Sequence, residues 1–163
     1  MNALIELIRL KHPEMADLLQ PVMNGSDLLQ EFEKMQLPDD YYQTYRVVNG
    51  EKEESDGVFG LHKLLPLEVA LKHIVKDPEE LANFKGKFTY ELFVPIFQIP
   101  GRVLIGYAKK DDGWDFAEYD LGVSPSRYAT SLTDFFQQFK AKLLNDGYAT
   151  ESGFKGLIDR DEM

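Results

Sequence analysis

Any acid–base or metal chemistry in this chain would have to come from two runs of carboxylates. Glu51, Glu53, Glu54 and Asp56 form the first, and Asp111, Asp112 and Asp115 form the second. Paired carboxylates can trade a proton as general acid and base, or hold a hard cation such as magnesium. The first run lacks the Asp-x-Asp-x-Asp-Gly order and closing Glu of a calcium loop. Acid–base work also needs one carboxyl withdrawn from water so that its pKa rises. Both runs lie in the most polar parts of the chain, so solvated charge is expected first, recognition next and catalysis last. Trp114, the one tryptophan, stands among the acids of the second run. Exposed, it would be an interface anchor with an acidic rim; buried, it would be core.

Other chemistries find less. His12, His62 and His73 form no His-x-x-x-His or His-x-Glu ligand pair, and the chain has no cysteine. No Gly-x-Ser-x-Gly elbow is present. Gly57-Val58-Phe59-Gly60 lacks both the spacing and the lysine of a phosphate cradle. The expectation is no catalytic residue, no metal and no cofactor.

The elements that must carry these residues are punctuated most clearly between Leu37 and Leu67. Pro38 suits a first helical position, and Asp39 and Asp40 suit the positive end of the helix dipole. Asn49-Gly50 reads as a stop for that Tyr-rich helix. The acidic run follows as a loop, then Gly57-Val58-Phe59-Gly60-Leu61 as a strand, and Leu64-Leu65-Pro66-Leu67-Glu68 opens a further helix. Tyr41, Tyr42 and Tyr45 read as half-buried core ahead of a sticky surface patch.

On the N-terminal side, Leu4, Leu7 and Ile8 have helical spacing up to Pro13, and a second short helix runs to Pro21. Asn24-Gly25-Ser26 reads as a turn, with Asp27 as a cap for the helix carrying Leu28, Leu29, Phe32 and Met35. Beyond Leu67, Ile74 and Val75 extend one helix; Pro78-Glu79-Glu80 starts another, with Phe84 in its apolar set and Lys85-Gly86-Lys87 at its end. From Leu92 the period becomes two. A strand with a Pro95 bulge or edge is followed by a central strand, Arg102 to Lys109, then an Asp112-Gly113 hairpin and a return strand from Trp114. Gly122 to Tyr128 reads as loop, and Ser131 caps a final helix with a Phe135, Phe136, Phe139 and Leu143 stripe. The order predicts an α+β domain with an antiparallel meander sheet and helices packed on it.

The Leu-Pro start at Leu37, the Tyr-rich helix, Asn49-Gly50, Gly57-x-x-Gly-Leu61 and Leu65-Pro66-Leu67-Glu68 together resemble the Smi1/Knr4 family, the SUKH superfamily. Phe93-Val94-Pro95-Ile96-Phe97 and the helix from Ser131 look similar as well. The resemblance spans roughly residues 28–144. It implies an α+β fold and, among bacterial members, an immunity protein that binds and neutralises a toxin, often a nuclease. Fungal members look like regulatory scaffolds. Family members often carry Trp near the Val-Pro-Ile strand and Asp at the end of the next; this chain has Phe93 and Tyr107-Ala108 there.

Composition frames the partner. The chain has 163 residues and a formal net charge of −10, from 28 acidic against 18 basic residues. A surface of that sign repels nucleic acid and speeds encounter with a basic protein, although acidity also simply keeps proteins soluble. No window reaches the length of apolar chain a membrane span needs, and the start does not read as a signal peptide, so a cytoplasmic protein is expected. One domain is expected, with a core over about 24–147, an N-terminal helical extension (1–23) and a loosely docked C-terminal tail (148–163). The amphipathic N-terminal turns allow a monomer or a weak dimer. The sequence thus predicts a non-enzymatic binding domain for a basic partner, with Glu51, Glu53, Glu54, Asp56, Asp111, Asp112, Trp114 and Asp115 at the interface; a regulatory scaffold and a carboxylate-dependent hydrolase are the alternatives.

Overall fold

Capping residues and changes of hydrophobic period divide the chain as follows in a computed structural model that describes residues 1–22, 27–82, 88–101 and 103–163. Helix α1 (Asn2–Lys11) buries Leu4 and Ile8, and Pro13 opens the short α2 (Pro13–Ala16) at a position where its missing N–H costs nothing. Helix α3 is Asp27–Glu33, and α4 is Asp39–Tyr45, with Asp39 and Asp40 in its first turn. Pro38 takes the cap position of α4, one residue before the helix itself. Strand β1 (Lys63–Leu64) precedes α5 (Leu67–Lys72) and α6 (Pro78–Leu81), whose start is capped by the Asp77 carboxylate accepting the Glu79 N–H at 2.9 Å. Then come β2 (Leu92–Ile99), β3 (Val103–Lys110), β4 (Gly113–Tyr119), β5 (Val123–Pro125), α7 (Leu132–Leu144), β6 (Tyr148–Glu151), β7 (Phe154–Asp159) and a 3-10 turn (Arg160–Glu162). The expected turn at Asn24–Ser26, the Asp27 side-chain cap and the helix end from Phe84 through Lys87 lie outside the described residues.

Strands β1 to β5 form one antiparallel sheet in sequence order, so the fold is α+β with a meander, as the sequence predicts. Strand β3 is central and buried along most of its length. Pro95 lacks the N–H a regular ladder needs; the register shifts between Pro95 and Phe97, so the bulge occurs in an interior strand. Phe97 pairs with Ile105, and its ring packs 4.6 Å from that of Phe135 on α7. Tyr41 on α4 donates its hydroxyl to the Pro95 carbonyl at 3.0 Å, Tyr42 to Phe32 at 2.8 Å and Tyr45 to Leu65 at 2.5 Å. These rings are core with satisfied hydroxyls.

Several local expectations change. The helix from Leu67 ends at Lys72, leaving Val75 in a bridge to Phe93, and the second N-terminal helix ends at Ala16, short of Pro21. Residues 57–61 form no strand: Gly57 and Phe59 make only isolated bridges. Asn49 does not stop α4, which ends at Tyr45; its side-chain oxygen instead accepts the Leu67 N–H at 3.0 Å and caps α5. Residues 123–125 add a fifth strand where loop was expected, because Ala117, Glu118 and Tyr119 offer a free edge. The C-terminal tail is not loosely docked. Its β6–β7 hairpin buries Tyr148 and Leu157. Among the described residues, no helix is long and apolar enough to cross a membrane.

Candidate binding surface

Glu51 departs most from the sequence reading. It is 0% exposed, so it cannot face a partner as the other acids can. Its Oε1 accepts the Ser55 hydroxyl at 2.5 Å and the Val58 N–H at 2.9 Å, while Oε2 accepts the Leu64 N–H at 2.6 Å. Its own N–H donates to the Leu64 carbonyl at 2.8 Å, beside β1. One internal carboxylate thus ties both ends and the middle of the loop together. Burial pushes its pKa from 4.5 up to about 7, against the pull of the Ser55, Leu64 and Val58 donors. That is the shift general acid–base chemistry requires, on a group that solvent cannot reach and whose oxygens are already engaged.

A second set of bonds holds the loop from outside. Asp56 donates its N–H to the Lys155 carbonyl at 2.8 Å, and its Oδ2 accepts the Lys155 N–H at 2.7 Å. Leu157 donates to the Gly57 carbonyl and accepts from the Leu61 N–H, each at 3.0 Å. Gly57 has φ +126, and a Cβ there would lie 2.6 Å from the Leu61 carbonyl carbon. The turn can close this tightly only without a side chain. Lys63 adds a bond from its ammonium to the Glu53 carbonyl at 2.7 Å.

What remains outside is a short acidic ridge. Glu53 and Glu54 are exposed, and Asp56 is half-buried with its carboxylate committed to Lys155. The second acidic group stands elsewhere. Asp111 and Asp112 are exposed at the β3–β4 turn, and Asp115 is half-buried, accepting from the Tyr90 hydroxyl at 2.8 Å and the Lys110 ammonium at 2.9 Å. Trp114 is also half-buried, packed against the core opposite Lys109, and so is neither a free anchor nor a core ring. The register sets Leu64, Phe97 and Ile105 in line, while the turn lies at Lys110 and Gly113. Leu64, which grips the first loop through Glu51, is therefore roughly 17 Å along the strands and roughly 14 Å across them from the turn that carries the second group.

Sequence reasoning also missed Asp40. Its carboxylate accepts the Tyr107 hydroxyl at 2.8 and 2.9 Å, the Thr133 N–H at 3.0 Å and the Thr133 hydroxyl at 2.9 Å. Tyr107 in turn accepts the Leu132 N–H at 2.9 Å. An acid on α4 therefore caps α7, beside the cap from Ser131 that the sequence does reveal, at 3.0 Å to the Asp134 N–H. Among the described residues, no three metal-ligating side chains gather. Comparison of the chain with protein-family models matches none of them, and no curated protein matches it.

Proposed function

We propose that this chain is a non-enzymatic binding domain that covers a basic protein partner in the cytoplasm, in the manner that its resemblance to Smi1/Knr4 immunity proteins implies. The partner on this reading is a toxin, nuclease-like in charge because its own substrate is anionic. The observation that carries the reading is the internal Glu51 staple. A loop fixed by its own buried carboxylate and by β7 presents Glu53 and Glu54 on a backbone that has little conformational freedom left to lose on binding. Such a surface suits recognition better than turnover, since the only carboxyl with a strongly raised pKa among the described residues is sealed inside.

The test is to read the coding sequence beside the gene for a secreted protein ending in a basic nuclease-like domain and to co-express that domain with this chain; a gene without such a neighbour counts against the reading. Growth should be rescued by the wild-type chain, and a one-to-one complex should be isolated. Glu53→Lys with Glu54→Lys should weaken rescue and slow association, while the fold remains intact by circular dichroism. Full protection by the double variant would remove this surface from the interface. Hydrolysis of a small compound by the purified chain would overturn the reading as a whole.

A further inference from the structure

Helices α1 and α7 lie side by side and run in the same direction. At their starts, Ala3 and Leu4 from α1 and Phe136, Gln137 and Lys140 from α7 line a cleft of about 250 Å³, with α4 as its third wall. At their ends, the Lys11 ammonium meets the Asp146 carboxylate at 2.6 Å. Residues at i, i+3 or i+4, and i+7 share one flank of a helix. The flank of α1 that starts at Ala3 therefore continues through Leu7 to Leu10, and that of α7 runs from Gln137 through Lys140 to Leu144. Leu10 is 80% exposed and Leu144 53%, so the groove between the helices has a hole at one end and uncovered leucines at the other.

One exposed leucine is ordinary, but a pair on facing rows beside a cleft marks a contact surface. Charge indicates what lies on it. The acids and bases along the groove balance: Glu6 with Arg9, Asp146 with Lys11, and Asp40 with Lys140. A chain with a net charge of −10 thus keeps one strip that neither draws a basic protein nor repels an acidic one. Asp40 is taken up by Tyr107 and Thr133, which leaves Lys140 exposed with no described group paired to it. Glu6, one turn from Leu10, is held only by Arg9 of its own helix.

We propose that this groove is the contact face of a weak two-fold dimer of the chain, with the helices of the two copies antiparallel, Leu10 of each copy seated in the other's cleft and Lys140 of each meeting the other's Glu6. Knob and hole lie on one face about seven residues apart, so an antiparallel two-fold matches them twice. A ten-residue helix beside a second one presents roughly 15 Å by roughly 20 Å, about 300 Å² a copy. Stable complexes bury about 800 Å² a partner, so this dimer forms only at high concentration. The inference rests on the groove and goes beyond the toxin reading.

Sedimentation velocity of the full chain from about 10 μM to about 1 mM tests it. The mean mass should climb from one chain toward two. Leu10→Asp should hold the chain monomeric throughout, with an unchanged circular dichroism spectrum. Lys140→Glu and Glu6→Lys should each weaken the dimer by about tenfold, since each creates two like-charge contacts. Mixed together, the two variants should associate as the wild type does, because every such contact is then Glu against Lys. A monomer at the highest concentration overturns the proposal, and so does a dimer that Leu10→Asp leaves intact or variants that fail to recover on mixing. Loss of toxin protection in Leu10→Asp, when the wild type is monomeric, also overturns it and puts the basic partner in the groove. A dimer that protects against no toxin refutes that partner and leaves the groove.

Discussion

Glu51 shows how one side chain can be read correctly for its chemistry and wrongly for its place. A run of acids looks solvated, and nothing in the spacing of Glu51, Glu53 and Glu54 separates the first from the others. The separable signal is the company it keeps: Gly50 before it, and Gly57, Val58 and Phe59 after it, mark a tight turn over an apolar floor. Because the folded pKa of about 7 exceeds the ordinary 4.5, the native state holds this proton more tightly. The group's stabilisation is therefore complete below 4.5, declines between 4.5 and about 7, and is lost above, by on the order of 3 kcal/mol. His12 and His62, with lowered pKa values, tilt stability the other way in the same window. A difference measurement isolates the carboxyl. Glu51→Gln leaves a backbone N–H without its acceptor and should cost about 1–3 kcal/mol in urea unfolding under mildly acidic conditions. That gap should shrink in mildly alkaline buffer. A gap independent of pH would show that Glu51 does not titrate.

At the scale of elements, two joints carry the testable content. Helix α7 is capped by Asp40 from α4 through Tyr107 and Thr133, so the two helices are coupled without a large shared surface. Asp40→Ala should cost about 1–3 kcal/mol, and a cycle with Tyr107→Phe should give a coupling above about 0.5 kcal/mol. Strictly additive losses would deny the network. The other joint is the parallel bridge between Gly57 and Gly156. A Cβ at Gly156 would stand 2.7 Å from the Gly57 carbonyl oxygen, so Gly156→Ala should quicken amide exchange at 58–62 while leaving β2 to β4 protected. Strands β2, β3 and β4 were legible because their alternation and the Asp112-Gly113 turn are strong local signals. Strands β5 to β7 were not. Ser124 and Pro125 look like loop, and β6 and β7 are too polar to announce burial that comes only from partners distant in sequence. The Asp40 cap was invisible for the same reason: its partners lie 67 and 93 residues away.

For the whole molecule, the net charge of −10 sets how it would meet a basic partner. Stopped-flow association should slow by about tenfold or more as salt rises from low to high, with dissociation much less affected. A salt-independent on-rate would mean that charge plays no part in the encounter. The division of the acids into two groups makes Glu53 and Glu54 the test of contact, and Asp111 and Asp112 the test of steering alone. Their reversal should change the on-rate and leave the lifetime of the complex. The clasp of residues 56–61 by β7 has one more consequence, in time. Lys155 leaves the ribosome 99 residues after Asp56, which is about 5–20 s at ordinary elongation rates. During that interval the meander can already fold while Glu51 alone holds its acidic ridge, so the nascent chain acquires its architecture before the second fastening of that loop.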